Sequence, residues 1–270
     1  MAETSQAHWR PTLLIKISVI LHVLVLLMLV ARPELWQWAL AIFVGNHLLI
    51  AAVGLWPRSN WLGPNWTELP AAAVSRNEVA LTIDDGPEPT VTPMVLDLLD
   101  SFNVQATFFC IGNKIAQHPE LSREIVRRGH AIENHSQQHR HYFSLLGVAG
   151  FTHEIQSAQE TIFSITGTRP QFFRAPAGLR NPFLEIALNR LGLRLASWTV
   201  RGFDTRVKDA EQVKNRLLGG LRPGAILLMH DGNAARTTGN IPVILAVLPS
   251  LLAAAKQKNL RFVTLQQASL

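Results

Sequence analysis

The chain has 270 residues and a formal net charge of +6, with 48% hydrophobic but only 16% charged residues. Its Lys and Arg are scattered rather than gathered into blocks, which excludes a nucleic-acid partner of the kind that needs a basic stripe. A single cysteine, Cys110, excludes an internal disulfide framework and, within the apolar run from Ala106 to Ile111, reads as a buried core thiol.

The charge deficit is concentrated at the start of the chain. Two apolar blocks, Leu13–Ala31 and Leu35–Trp56, each approach or exceed the roughly 20 residues that cross a bilayer. Arg32, Pro33 and Glu34 leave room only for a tight turn between them. Trp9, Trp36, Trp38, Trp56, Trp61 and Trp66 gather at the edges of the blocks or just beyond, as interfacial tryptophans do. A transmembrane helical hairpin is expected, in an integral protein of the bacterial inner membrane with two spans in contact with membrane lipids. A signal peptide is the rival reading of the first block, but no small-residue cleavage site precedes the second. His22, Asn46 and His47 lie inside the apolar blocks, where helix-to-helix hydrogen bonding is expected of them. Arg10, Lys16, Arg58 and Arg76 flank the hairpin, and Arg32 alone lies in its turn. The positive-inside rule then puts the body that follows the hairpin in the cytoplasm rather than the periplasm.

Beyond the hairpin, Pro57–Pro70 is rich in Pro, Trp, Asn and Gly and reads as a linker along the membrane surface. The expected organisation is a tail over 1–12, a hairpin over 13–56, a linker over 57–76 and a catalytic domain over 77–270. In the last segment short apolar runs alternate with helical stretches. Strands are expected at Val79–Ile83, Ala106–Ile111, Ala131–Glu133, Gln171–Arg174, Leu193–Thr199, Ala225–Met229 and Arg261–Thr264. Helices are expected near Pro93–Phe102, Leu121–Arg128, Phe151–Thr166, Pro182–Leu191, Ala210–Leu218 and Pro242–Ala255. The alternation predicts an α/β fold, a distorted (β/α) barrel of about seven strands.

Catalytic groups of such barrels sit at the C-terminal ends of the strands. The first strand ends in Asp84-Asp85-Gly86-Pro87, adjacent acids that face opposite ways unless the turn bends them. Beyond the third come His135 and His139, four residues apart, a spacing that on one face of a helical turn suits a divalent cation. Ser136 stands where a zinc-protease helix would need Glu. His141 and His153 read as surface residues. Arg174, at the end of the fourth strand, can orient a carboxylate, and His230, at the end of the sixth, suits a general acid. Asp204 either pairs with His230 or caps a loop.

Four stretches resemble the signature motifs of the polysaccharide deacetylases of carbohydrate esterase family four, and in the same order. They are Thr82-Ile83-Asp84-Asp85-Gly86-Pro87, His135-Ser136-Gln137-Gln138-His139, Arg174-Ala175-Pro176-Ala177-Gly178 and Ile226-Leu227-Leu228-Met229-His230. The resemblance covers the chain from about Val79 onward and implies a carbohydrate de-N-acetylase acting on an acetylated amino sugar. It implies that Asp85, His135 and His139 hold a divalent metal, zinc by default, with cobalt, nickel or iron as alternatives. Asp84 is implied as general base, Arg174 as its tether, His230 as general acid and Asp204 as the group that tunes it. A backbone N–H near Ala177 is implied to face the oxyanion, and Leu228 to shape the acetyl pocket. The family usually carries an aromatic where Ala177 stands and a Trp where Thr205 stands.

With the hairpin and those missing aromatics, a lipid-linked or membrane-proximal substrate is expected, such as a polyprenyl-phosphate-linked N-acetylhexosamine. The alternatives are a periplasmic polysaccharide or peptidoglycan deacetylase and an inactive membrane-bound glycan-binding scaffold.

Overall fold

A computed structural model describes residues 9–270, so the first eight residues of the expected tail lie outside it. Two long helices open the chain, α1 (Leu13–Ala31) and α2 (Trp36–Gly54), with a single 3-10 turn at Pro33–Leu35 between them. Thr12 caps α1 by accepting from the Ile15 amide. Both are long and apolar enough to cross a membrane, with mean hydropathies of 2.8 and 1.5 over their most apolar stretches. Asn46 donates across the pair to Ser18 Oγ at 2.8 Å, both groups buried, which is the helix-to-helix bond expected of Asn46. His22 and His47 instead bond carbonyls of their own helices, Ser18 O and Phe43 O.

After a short helix α3 (Ala71–Ser75), strands and helices alternate. In chain order they are β1 (Glu78–Gly86), α4 (Thr92–Ser101), β2 (Thr107–Cys110), α5 (Gly112–Gln117), α6 (Pro119–Arg127), β3 (Ala131–Asn134), α7 (Val148–Thr166), β4 (Phe172–Phe173) and α8 (Phe183–Leu191). Then follow β5 (Arg194–Leu195), β6 (Val200–Arg201), α9 (Ala210–Gly219), β7 (Ile226–His230), α10 (Val243–Gln257), β8 (Arg261–Phe262) and α11 (Leu265–Ala268). The strands run β5-β4-β3-β2-β1-β7-β6, all pairings parallel, and β8 pairs with the first two residues of β1. This is the curled, distorted barrel expected from the alternation. The run expected as one strand over Leu193–Thr199 holds only β5 near its start: Trp66 bridges at Ala196 just past β5, and the next strand, β6, begins at Val200, beyond the expected run.

β1 is buried along its whole length, as a central parallel strand covered on both faces must be. Its two-residue alternation decides everything that follows. Val79, Leu81 and Ile83 pack outward with Val95 and Leu99 of α4 and Val247 and Leu251 of α10. Ala80, and by the same alternation Thr82 and Asp84, face the barrel interior. On β7 the outward residues are Leu227 and Met229, leaving Ile226, Leu228 and His230 inside. Asp84 and His230 are register partners on neighbouring strands, so both reach the same mouth of the barrel.

The segment expected as a surface linker is part of the body. Trp66 donates to Leu195 O and accepts from Ser197 N, and Leu69 donates to Gly224 O, so residues 66–69 close the seam between β5 and β7. The reason is backbone satisfaction: the seam would otherwise leave strand-edge amides and carbonyls unpaired. The segment is also tied down by Ser197 Oγ and Asn65 Nδ2, both donating to Pro57 O, and by Arg58 donating to Thr199 O.

Candidate active site

Asp84 ends the regular part of β1, and consecutive side chains of a strand face opposite ways. A register shift against β2 between Asp84 and Gly86, with Asp85 at φ 72°, breaks that rule and turns the second carboxylate into the same cleft. Gly232 makes the turn possible. A Cβ there would lie 2.2 Å from Asp85 O.

His135 and His139 converge on Asp85 by a route other than the expected helical turn. Residues 135–140 form a loop, with Ser136 at φ 66° and His139 at φ 52°. Asn134 Oδ1 accepts from Ser136 N, and Ser136 Oγ accepts from His139 N, so local side-chain bonds replace the helical ladder. Both imidazoles are thereby curled inward. His135 Nε2 lies 3.2 Å and His139 Nε2 3.3 Å from the same Asp85 oxygen.

This donor set fits a divalent cation. One oxygen and two ring nitrogens lie within 4.8 Å of one another. His135 Nδ1 is 2.8 Å from Arg174 O, an acceptor only, so Nδ1 carries the proton and Nε2 presents its lone pair. Burial, assisted by His135, lowers the His139 pKa to about 4, which keeps that imidazole neutral as a ligand must be.

Arg174 is buried, its side chain 1% exposed. Its guanidinium donates to Asp84 Oδ1 at 2.6 Å, Thr82 Oγ1 at 2.8 Å, Ala196 O at 3.1 Å and Ser197 O at 2.6 Å, and lies 4.0 Å from the Phe109 ring centroid. Asp84 Oδ2 is left facing the cleft, 3.9 Å from His135 Nε2. Asp204 is likewise fully buried rather than capping a surface loop. One of its oxygens accepts from His230 N at 2.7 Å and the other lies 2.9 Å from His230 Nδ1, so the ring is held at two points.

Burial disfavours the charged form of His230, but the charge and hydrogen bond of Asp204, with Asp84 and Asp85, outweigh it and raise the pKa to about 9. A raised histidine pKa contributes stability below its unfolded value, near 6.5, and loses it as the pH climbs through the folded value. A cation on Asp85 would pull the same pKa down. Asp204→Asn removes the largest contribution that raises it. The alkaline limb of the kcat–pH profile of that variant is expected to move to lower pH than in the parent; a limb left in place would separate Asp204 from His230 protonation.

Asp84, Asp85, His135, His139, Ala177, Leu228 and His230 line one cleft of about 330 Å³. Arg174 and Asp204 lie behind it, touching cleft residues rather than solvent. His141 and His153 are exposed and outside it, and Cys110 is buried. The cleft also contains Trp198, Arg201, Phe203, Arg206 and Asn233, none of which the sequence reading singled out. Trp198 and Phe203 supply aromatic walls despite the alanine at 177 and threonine at 205. Asn233 donates to Asp85 Oδ2 at 3.2 Å, and its place three residues after His230 was the one signal that could have found it.

The family model described as polysaccharide deacetylase matches residues 71–196. A peptidoglycan-N-acetylglucosamine deacetylase of Bacillus cereus is 32% identical over 218 residues, covering 77% of this chain and 75% of its own length. A chitooligosaccharide deacetylase of Azorhizobium caulinodans is 37% identical over 165 residues, covering 60% of this chain and 78% of its own. The chain belongs to the polysaccharide deacetylase family. Membership makes it a carbohydrate de-N-acetylase, as the four motifs imply. The fold agrees. The crystal structure of the Bc1960 peptidoglycan N-acetylglucosamine deacetylase superposes with a TM-score of 0.68 at 28% identity, covering 76% of this chain and 92% of that one. A family 4 acetyl xylan esterase from Clostridium thermocellum, solved with a cobalt ion, gives 0.63 at 30% identity, covering 70% and 89%.

Proposed function

We propose that this polysaccharide deacetylase hydrolyses the N-acetyl group of an amino sugar carried on a lipid-linked or membrane-proximal glycan, and that the reaction depends on a divalent metal held by Asp85, His135 and His139. The observation that supports it best is the convergence of three kinds of group on one cleft. A donor set suited to a cation, a carboxylate with one free oxygen and an imidazole held by a buried carboxylate stand side by side on neighbouring strands. The lipid-linked part of the reading rests on the hairpin, which joins the body beside the cleft: Arg180 N donates to Gly54 O, and Gly178, in the cleft wall, lies against Pro57.

A divalent cation bound there supplies Lewis acidity, acidifying a water and polarising the amide carbonyl. Asp84, oriented by Arg174, accepts the proton of the attacking water through its free oxygen. His230, protonated through Asp204, donates to the departing amine nitrogen. The backbone N–H near Ala177, in a turn where φ is 54°, faces the developing oxyanion, and Leu228 forms the floor against which the acetyl methyl packs. Zinc is the default occupant; cobalt, nickel and iron share the same ligand preference.

The test is amine release from N-acetylglucosamine on polyprenyl phosphate and, in parallel, on a soluble oligomer, with and without chelator. Chelator-sensitive release from the lipid form is expected. Release from the oligomer alone would favour a polysaccharide or peptidoglycan substrate, the kind the curated relatives are named for. Release from neither, with metal bound, would favour a glycan-binding scaffold.

A further inference from the structure

Beside the catalytic cleft lies a second one, of about 520 Å³, which none of the catalytic groups reaches. It is lined by Trp56, Pro57, Arg58, Trp198, Thr199, Val200, Arg201, Phe203 and Arg216. Three of these residues, Trp198, Arg201 and Phe203, line the catalytic cleft as well, so the two spaces share a wall. At its other end stands Trp56, 56% exposed, two residues beyond the end of α2.

The chemistry of the lining is uneven. Arg58, Arg201 and Arg216 bring three positive charges, and among the described residues none of them forms an ion pair with a carboxylate. Arg201 Nε is buried without a hydrogen-bond partner among the described residues. A buried donor of that kind costs free energy unless a ligand satisfies it. The guanidinium groups are nevertheless well positioned. Arg201 lies 4.7 Å and Arg216 5.3 Å from the centroid of Phe203, and Arg201 also lies 5.2 Å from that of Trp198. Arg58 is fixed by its bond to Thr199 O at 2.9 Å. Asp204, Asp84 and Asp85 act on Arg201 from the catalytic side without pairing with it, while planar donors free of a direct carboxylate partner match a phosphate. Trp56, Val200 and Phe203 offer apolar surface beside them.

We propose that this second cleft binds the phosphate and the first apolar segment of a lipid phosphate, holding the linkage of a lipid-linked sugar while the sugar reaches Asp84 and His230 past the shared wall. The proposal rests on the lipid-linked reading of the substrate and adds the site that would select it. Arg58 and Arg216 line only the second cleft, so they test it without touching the catalytic one.

The full chain in detergent micelles is titrated with polyprenyl phosphate, with phosphatidylglycerol and with inorganic phosphate, following tryptophan fluorescence. Saturable binding of polyprenyl phosphate is expected, weakened about tenfold or more in Arg58→Gln/Arg216→Gln, since charged hydrogen bonds are lost. The KM for the lipid-linked N-acetylated sugar is expected to rise by a similar factor with kcat held, and the melting temperature to fall only slightly, since the Arg58 bond to Thr199 O is exposed. Equal binding of phosphatidylglycerol, or of inorganic phosphate, would overturn the assignment to a lipid phosphate. An unchanged Kd in the double variant would overturn the site. The two readings can also fail separately. Arginine-dependent binding of polyprenyl phosphate without turnover of its sugar keeps the site and discards the substrate; turnover with an unaltered KM in the variant does the reverse.

Discussion

Asp84→Asn is expected to lower turnover by about 10²- to 10⁴-fold, the usual weight of a general base, while metal content stays at the parental level. His139→Ala is expected to lose both. The division follows from geometry. Asp84 has one oxygen committed to Arg174 at 2.6 Å and the other 3.9 Å from His135 Nε2, outside the compact donor set. His139 Nε2 is 3.3 Å from the Asp85 oxygen at the centre of that set. An amide at 84 keeps the shape and can still accept from Arg174, so the barrel mouth should stay assembled. Removing the imidazole at 139 takes away one of the three donors of the proposed metal set. Metal per chain, measured by mass spectrometry on purified protein, decides the matter alongside amine release. Equal metal loss in the two variants would overturn the assignment of Asp84 to proton transfer.

The second large effect concerns folding. Arg174→Met keeps much of the side-chain length but strands Asp84 as a buried carboxylate and leaves Thr82 Oγ1, Ala196 O and Ser197 O without their donor. Breaking a buried pair from one side costs about 3–5 kcal/mol, because the remaining charge has no partner and little water. Adding Asp84→Asn to Arg174→Met should return part of that loss, since the amide carries no charge to desolvate. Denaturant unfolding of the two single variants and the double variant measures the coupling. Additive losses would mean that Arg174 acts mainly through its packing against Phe109 and its bonds to the backbone.

The chemically distinctive residues were legible because strand alternation and strand ends are sequence properties. Asp84, Arg174 and His230 each sit where an apolar run stops, and the structure brings them to one mouth. The His135–His139 spacing was legible as a pair but not as a shape: it reads as a helical turn, whereas positive φ at Ser136 and His139, supported by the Asn134 and Ser136 side chains, curls a loop to the same end. The role of Trp66 was hidden for a different reason. A single residue filling a gap between two strands has no period, so nothing local distinguishes it from linker. Trp198, Arg201 and Phe203 escaped notice for a related reason: they lie on the irregular stretch after the short β5 and around the two-residue β6, where no period marks the residues that line the cleft.

The stitching of residues 57–69 into the barrel leaves little slack between anchor and catalyst. Gly54 is bonded to Arg180, Pro57 to Ser197 and Asn65, Ser59 to Arg180 and Thr67 to Thr199. With the hairpin in a bilayer, the cleft would hold one height and one tilt above the lipid rather than swing on a leash. Such an enzyme samples a thin sheet of space. For a substrate held in the same membrane, its rate would follow the number of substrate molecules per unit area, and dilution of the surrounding solution would leave it unaffected.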